Sequence, residues 1–189
     1  SLALDSSKAN DSSLRDFREQ YLRQVKIRAE GNTYVTDKMP LNFRFAGLIT
    51  AAIPESKIIH VKRDPRATCW SNFKHYFAAD DIDFCYSLTD VVGYFKQYER
   101  LMKFWGRCLQ GKIYSLDYDS LTANQDRETR RVIDHIGLNW NEACLSPNKN
   151  MRSVSTASNI QVRQEIYRGS SLQWEKYRPF LENAFDDLL

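Results

Sequence analysis

Leu14, Phe17, Tyr21, Leu22 and Val25 recur at helical spacing behind Asp11-Ser12-Ser13, so an amphipathic helix is predicted to start there and to end at Gly31-Asn32. Thr33-Tyr34-Val35-Thr36 then reads as a short strand running into Asp37-Lys38-Met39-Pro40. Phe43 to Ile53 reads as helix, and Pro54-Glu55-Ser56 as a turn. Lys57-Ile58-Ile59-His60-Val61-Lys62 is a brief apolar run rich in β-branched residues, the pattern of a buried parallel strand. It stops at Arg63-Asp64-Pro65, where Asp64 suits a helix N-cap and Pro65 the first helical position. The helix that follows is predicted to reach about Tyr76, carrying Trp70 and Phe73 toward a core. After a loop at Asp80-Asp81-Ile82-Asp83, a long amphipathic helix from about Thr89 to Leu109 presents Tyr94, Phe95, Tyr98, Leu101, Met102 and Trp105. Gly111 breaks it, and residues 112–118 form the third strand candidate. A helix through Arg127–Ile136 ends at Gly137, a C-cap residue. Residues 147–165 are polar and irregular, and Leu172 to Leu189 is helical again.

Strands alternating with helices predict an α/β fold with a mainly parallel sheet. Three visible strands make a thin sheet, so the expected layer is incomplete. No repeat, linker or low-complexity tract divides the chain, and residues 1–189 are read as a single domain. A missing strand would leave an unpaired apolar edge, and with it an expectation of self-association through that edge.

Composition narrows the function classes. The 189 residues carry a net charge of +3, from 27 basic and 24 acidic side chains, too balanced for bulk nucleic-acid binding. No apolar run reaches the roughly 18 residues of a membrane span, and no charged-then-apolar leader opens the chain. Cys69, Cys85, Cys108 and Cys144 stand far apart without a CxxC pair and read as buried thiols of a reducing, cytoplasmic compartment. His60, His75 and His135 show no metal-ligand spacing, so no metal is expected. His60 reads as a core histidine, while His75, one turn past Ser71, stands near any ligand there. No Walker-type glycine loop, G-x-G-x-x-G or G-x-S-x-G occurs, which argues against an ordinary P-loop kinase or a serine hydrolase.

Ligands of open α/β sheets sit beyond the carboxyl ends of the strands. Those ends carry Asp37-Lys38, Lys62-Arg63 and Tyr118-Asp119. Two of the three are basic, which points to an anionic ligand, and the helix start at Pro65 adds backbone N–H groups. Ser71 lies nearly two turns beyond Asp64 and returns to the same helix face. An Arg fork and a Ser hydroxyl converging on one point suit a phosphate. The competing reading pairs Arg63 with Asp64 and satisfies Ser71 on the helix carbonyl four residues back. Lys38 is either a charge-stabilising group held by Pro40 or a solvated loop lysine. Tyr118 is either core or a ring stacked on a base.

Asp37-Lys38-Met39-Pro40-Leu41-Asn42-Phe43 and the run from Ile58 through Arg63-Asp64-Pro65 to Cys69 and Ser71 resemble the PAPS-dependent sulfotransferases, in particular their bacterial branch found behind TPR repeats and akin to tyrosylprotein sulfotransferases. Tyr118-Asp119-Ser120-Leu121 is similar to that family's Tyr-Glu-Asp-Leu. Thr156-Ala157-Ser158, Gln161-Val162-Arg163-Gln164, Ile166-Tyr167 and Trp174 match its C-terminal signature in order. The likeness runs from about Leu14 to the C-terminus, with Gln173 and Glu165 departing from it. The resemblance implies that Arg63 and Ser71 grip the 3′-phosphate of PAPS or its product PAP, that Tyr118 lies beside the adenine, and that Ser158 is near the bridging phosphate or sulfonate. It implies that Lys38 neutralises the departing sulfonate. It also implies a partial P-loop-NTPase-like three-layer fold with helices on both faces of the sheet, and transfer of a sulfonyl group to a hydroxyl or amine of a small molecule or peptide. The family's Gly- and Ser/Thr-rich phosphate loop precedes the Asp-Lys-Met-Pro segment by many tens of residues, whereas 36 residues precede Asp37 here. With the chain also opening on Ser1-Leu2-Ala3 and no Met, the expectation is a C-terminal portion of a sulfotransferase, without its general base and of doubtful turnover alone. The alternative is a non-catalytic nucleotide-binding or interaction module of the same descent.

Overall fold

The structure, a computed structural model, describes residues 10–77, 82–150 and 161–188. By internal contacts the chain forms two units, residues 1–58 with 100–113, and residues 59–99 with 114–189.

The first unit opens with α1 (Asp11–Ala29), capped by Asn10, whose side chain accepts from Ser13 N while Ser13 Oγ accepts from Asn10 N. The cap falls just ahead of the predicted Asp11 start. Arg18 of α1 donates to Glu55 and to the carbonyl of Ala52, tying the helix to the end of α2 (Ala46–Ala52). A 3-10 turn over Pro40–Phe45 leads into α2, so the predicted helix from Phe43 to Ile53 forms with its first turn tightened. Trp105, on the last turns of α4 (Leu88–Cys108), donates its indole N–H to the carbonyl of Phe43 at 2.9 Å. The same ring explains Gly47, because a Cβ there would lie 2.7 Å from Trp105 Cη2.

Thr33-Tyr34-Val35-Thr36 is not a strand, which corrects the reading above. Tyr34 is 69% and Val35 42% exposed. β-branched and aromatic residues favour strands mainly through packing and cross-strand pairing, and no described strand pairs with this stretch.

The second unit holds the sheet apart from the first residue of each strand. β1 (Ile58–Lys62) pairs with β2 (Ile113–Asp117) in a two-stranded parallel sheet, two strands among the described residues where three were expected. The crossover includes α3 (Pro65–Phe73), and the Asp64 N-cap and Pro65 are as the sequence predicts. Asp64 Oδ1 accepts from Ala67 N at 2.7 Å. The helix ends at Phe73, short of Tyr76, with Lys74 N shared between two carbonyls. After β2 the chain turns directly into α5 (Tyr118–Ala123), capped by Asp117, and then α6 (Gln125–Ile136), closed by Gly137 in the left-handed region at φ 76°. The C-terminal segment is helical as expected, as a 3-10 helix over Ser170–Phe180; Pro179, which has no N–H to give to a helix ladder, lies within it.

The core of this unit gathers Ala67 and Cys69 of α3, Val91, Val92 and Phe95 of α4, and Trp174, Leu181, Phe185 and Leu188 of the C-terminal segment. Cys69 and Cys85 are buried, and burial pushes the Cys69 thiol up to about 12. Cys108 is exposed on the last turn of α4, so the reading of all four cysteines as buried is corrected. In α6 the carboxylate of Glu128, 6% exposed, accepts from Arg127 Nε at 2.9 Å and from Arg131 at 3.0 Å.

His60 is half-buried and stands outside the core cluster, which corrects the reading of it as a core histidine. Its Nε2 shares a hydrogen bond with the Tyr98 hydroxyl of α4, and the rings meet edge-on with centroids 5.7 Å apart. Burial, helped by Lys62, holds His60 below its ordinary 6.5, and burial pushes the Tyr98 phenol up to about 12. A depressed folded value means that the unfolded chain takes up the proton first as pH falls. The stability contribution is therefore full above about pH 6.5 and is lost as pH drops through the lower, folded value. We expect the Tm of the protein to fall between about pH 7 and pH 5, and the decline to flatten in His60→Gln. Equal slopes for the two proteins would remove His60 from the explanation.

Candidate functional site

Arg63, Ser71 and Tyr118, three of the residues singled out in the sequence, line one cleft of the second unit. Each is placed by its own local rule. Arg63 follows β1 and precedes the cap of α3, Ser71 rises from the second turn of α3, and Tyr118 is the first residue of α5 behind the Asp117 cap.

Arg63 is held on two sides. Its Nε donates to Ser171 Oγ at 2.8 Å, and its guanidinium carbon lies 5.3 Å from the centre of the Tyr118 ring. Asp64, its alternative partner from the sequence reading, is committed instead to the N–H of Ala67. With Nε used by Ser171, the two terminal amino groups of Arg63 have no partner among the described residues. They are the pair that an Arg offers to a phosphate or sulfate.

Ser71 is likewise without a side-chain partner among the described residues. Thr68 sends its hydroxyl back to the Asp64 carbonyl at 2.9 Å, as Ser and Thr within helices often do. The Ser71 hydroxyl makes no such bond among the described residues; the Ser71 carbonyl instead accepts from His75 Nδ1 at 2.7 Å. Lys74 and His75 also line the cleft, so it carries Arg63, Lys74 and His75 and no carboxylate among its lining residues. Trp70, Tyr167 and Trp174 form much of its apolar wall, and Gln173 stands where the resemblance expects a basic residue. The lining thus sets basic side chains and hydroxyls beside aromatic rings.

The C-terminal segment completes it. Arg168 donates to the carbonyls of Thr122 and Ala123 at the end of α5. Ser170, Gln173 and Trp174 reach the cleft from the 3-10 segment, with Ser171, 7% exposed, beneath Arg63. Sequence reading missed Ser171 and Arg168, since a bond spanning 108 residues has no local signature. His75 was flagged, by its place one turn past Ser71.

Lys38 belongs to the first unit and is exposed, beside Asp37, whose carboxylate accepts from the Tyr21 hydroxyl at 2.8 Å. Ser158 lies outside the described residues. Among the described residues no cluster of His, Cys, Asp and Glu suits a metal ion, and no helix is long and apolar enough to cross a membrane.

Comparison with known proteins matches residues 3–142 to the family described as "Sulfotransferase family". The chain is also similar to an uncharacterized protein of Aquifex aeolicus (strain VF5), 32% identical over 177 residues. That alignment covers 93% of this chain and 23% of the relative, so the chain spans about a quarter of the relative's length.

Proposed function

The chain belongs to the sulfotransferase family, and we propose that it binds PAPS and its product PAP as part of an enzyme moving a sulfonyl group to a hydroxyl or amine of a small molecule or peptide. The observation that supports this most is the cleft in which, among the described residues, no carboxylate is in the lining and the two terminal amino groups of Arg63 and the hydroxyl of Ser71 have no partner. That donor set fits the 3′-phosphate that distinguishes PAPS from ATP. PAPS, when bound, supplies the activated sulfonyl group. Arg63 and Ser71 hold its 3′-phosphate, and Tyr118, with Trp70 and Tyr167 in the same wall, offers a ring to the nucleoside. Lys38 and Ser158 are the groups proposed to meet the sulfonate end, where a transition state of spread negative charge is stabilised by oriented cationic and N–H or O–H donors.

Calorimetric titration with PAP, ATP and AMP tests the reading. PAP is expected to bind while ATP and AMP give no measurable heat. Equal binding of ATP, or silence with PAP, would overturn it.

A further inference from the structure

His75 lies at the end of α3, just past its C-cap Lys74, and does two things at once. Its Nδ1–H is spent on the carbonyl of Ser71 at 2.7 Å, one of the last-turn carbonyls that a helix leaves without an N–H partner. It also lines the cleft that holds Arg63 and Ser71. A carbonyl can only accept, so Nδ1 carries the proton, and in the neutral imidazole Nε2 is the nitrogen left as an acceptor. A neutral ring therefore has no N–H left for an anion. A protonated ring does, at Nε2, and keeps its bond to Ser71.

Around His75 the titratable and charged groups lining the cleft are Lys74 beside it, Arg63 from the end of β1, Tyr118 from α5 and Tyr167 from the segment ahead of Ser170. The ring of Phe77 is also near, its centroid 6.2 Å away. Two are basic side chains, two are phenols, and no carboxylate is among the described lining residues. An entering phosphate brings acceptor oxygens and negative charge to this face of the ring.

We propose that His75 is a proton-coupled donor of the anion site: it takes up a proton at Nε2 when the 3′-phosphate enters and donates that N–H to it. This rests on the nucleotide reading above and deepens it, since it makes the affinity of the site depend on pH. Arginine and lysine side chains ordinarily titrate above about pH 10, so a dependence in the neutral range points away from them. Nor is it the ligand's: a phosphate monoester gains charge as pH rises through about 6, which strengthens its binding to cations. His75 predicts the opposite sign, an affinity that weakens as pH rises.

PAP is titrated into the unsubstituted protein and His75→Gln by calorimetry, from about pH 6.5 to about pH 8.5, in two buffers of different ionisation enthalpy. The unsubstituted protein is expected to take up protons on binding PAP and to lose about three- to tenfold in affinity over that range, within the tenfold per pH unit that one linked proton allows. His75→Gln is expected to lose the uptake and that decline. Matching proton uptake and parallel pH profiles in the two proteins would overturn the proposal. A second measurement needs no variant. The imidazole resonances of the three histidines are followed against pH with and without PAP, and one titration is expected to move upward when PAP is present. If none moves, His75 does not couple. Absence of PAP binding at every pH in both proteins is a different result, since it removes the nucleotide reading itself and this proposal with it.

Discussion

Arg63→Ala is expected to weaken PAP binding by roughly a hundredfold or more, while lowering the Tm of the free protein by only about 4 to 8 °C. The binding figure comes from the two terminal amino groups, which have no partner within the described protein and are available to the ligand. Each charge-assisted bond contributes about 1.5 to 3 kcal/mol, and 1.4 kcal/mol is tenfold in affinity. The stability figure comes from the other side of the same guanidinium. Truncation leaves the buried Ser171 hydroxyl without its donor and removes the cation from the Tyr118 ring, together about 2 kcal/mol. Arg63→Lys separates charge from shape. It keeps the cation but cannot reach Ser171 through Nε and offer two parallel N–H groups together, so it should restore only a minor part of the affinity. Calorimetry and thermal melts on the same preparations decide the matter. A loss of binding that appears only where the variant has unfolded would make Arg63 a structural residue.

Trp174→Ala is the substitution with the largest expected effect on stability, about 3 to 5 kcal/mol. The indole is 8% exposed and belongs to the core of the second unit. It meets the Phe185 ring edge-on at 5.9 Å, and the guanidinium of Arg66 lies 5.6 Å from its centre while Arg66 Nε donates to the Phe185 carbonyl. Removing the ring takes the centre from a cluster in which the C-terminal segment is held mainly by aromatic and aliphatic contacts. Against a total stability of about 5 to 15 kcal/mol for a domain, that loss is large. Equilibrium urea unfolding, followed by both fluorescence and far-ultraviolet dichroism to test that the transition is two-state, gives the number. Trp174→Phe is expected to recover most of it. A deficit below about 1 kcal/mol for the Ala variant would show that the neighbours close over the space.

What could be read from the sequence was what neighbouring residues decide between themselves. Asp64 and Pro65 announce a helix start by their own chemistry, and Gly137 a helix end, so α3 and α6 were placed before any tertiary contact was known. The Arg63 and Ser71 pair followed from the same local geometry, because helix periodicity alone returns Ser71 to the cap. Thr33 to Thr36 failed for the converse reason: a strand exists through its partner, and propensity does not supply one. Helix α5 was missed because six residues hold too little periodicity to register, although the cap at Asp117 was there to be seen. Ser171 belongs to a third class. It matters because Arg168 fastens its segment to α5 and so brings it under Arg63, a consequence of chain crossings far apart in sequence.

Glu128 sits nearly out of water while its two partners, Arg127 and Arg131, do not, their side chains being 58% and 59% exposed. The arrangement is lopsided, since the carboxylate depends on the arginines more than they depend on it. Either arginine alone still gives the carboxylate a cation and an N–H, so drift at one position is masked as long as the other persists. Selection then acts on the pair, and the second loss is the one that is felt. In a set of related chains, the mark of this redundancy would be basic residues that come and go at positions 127 and 131 separately and vanish together only where position 128 has itself ceased to be acidic.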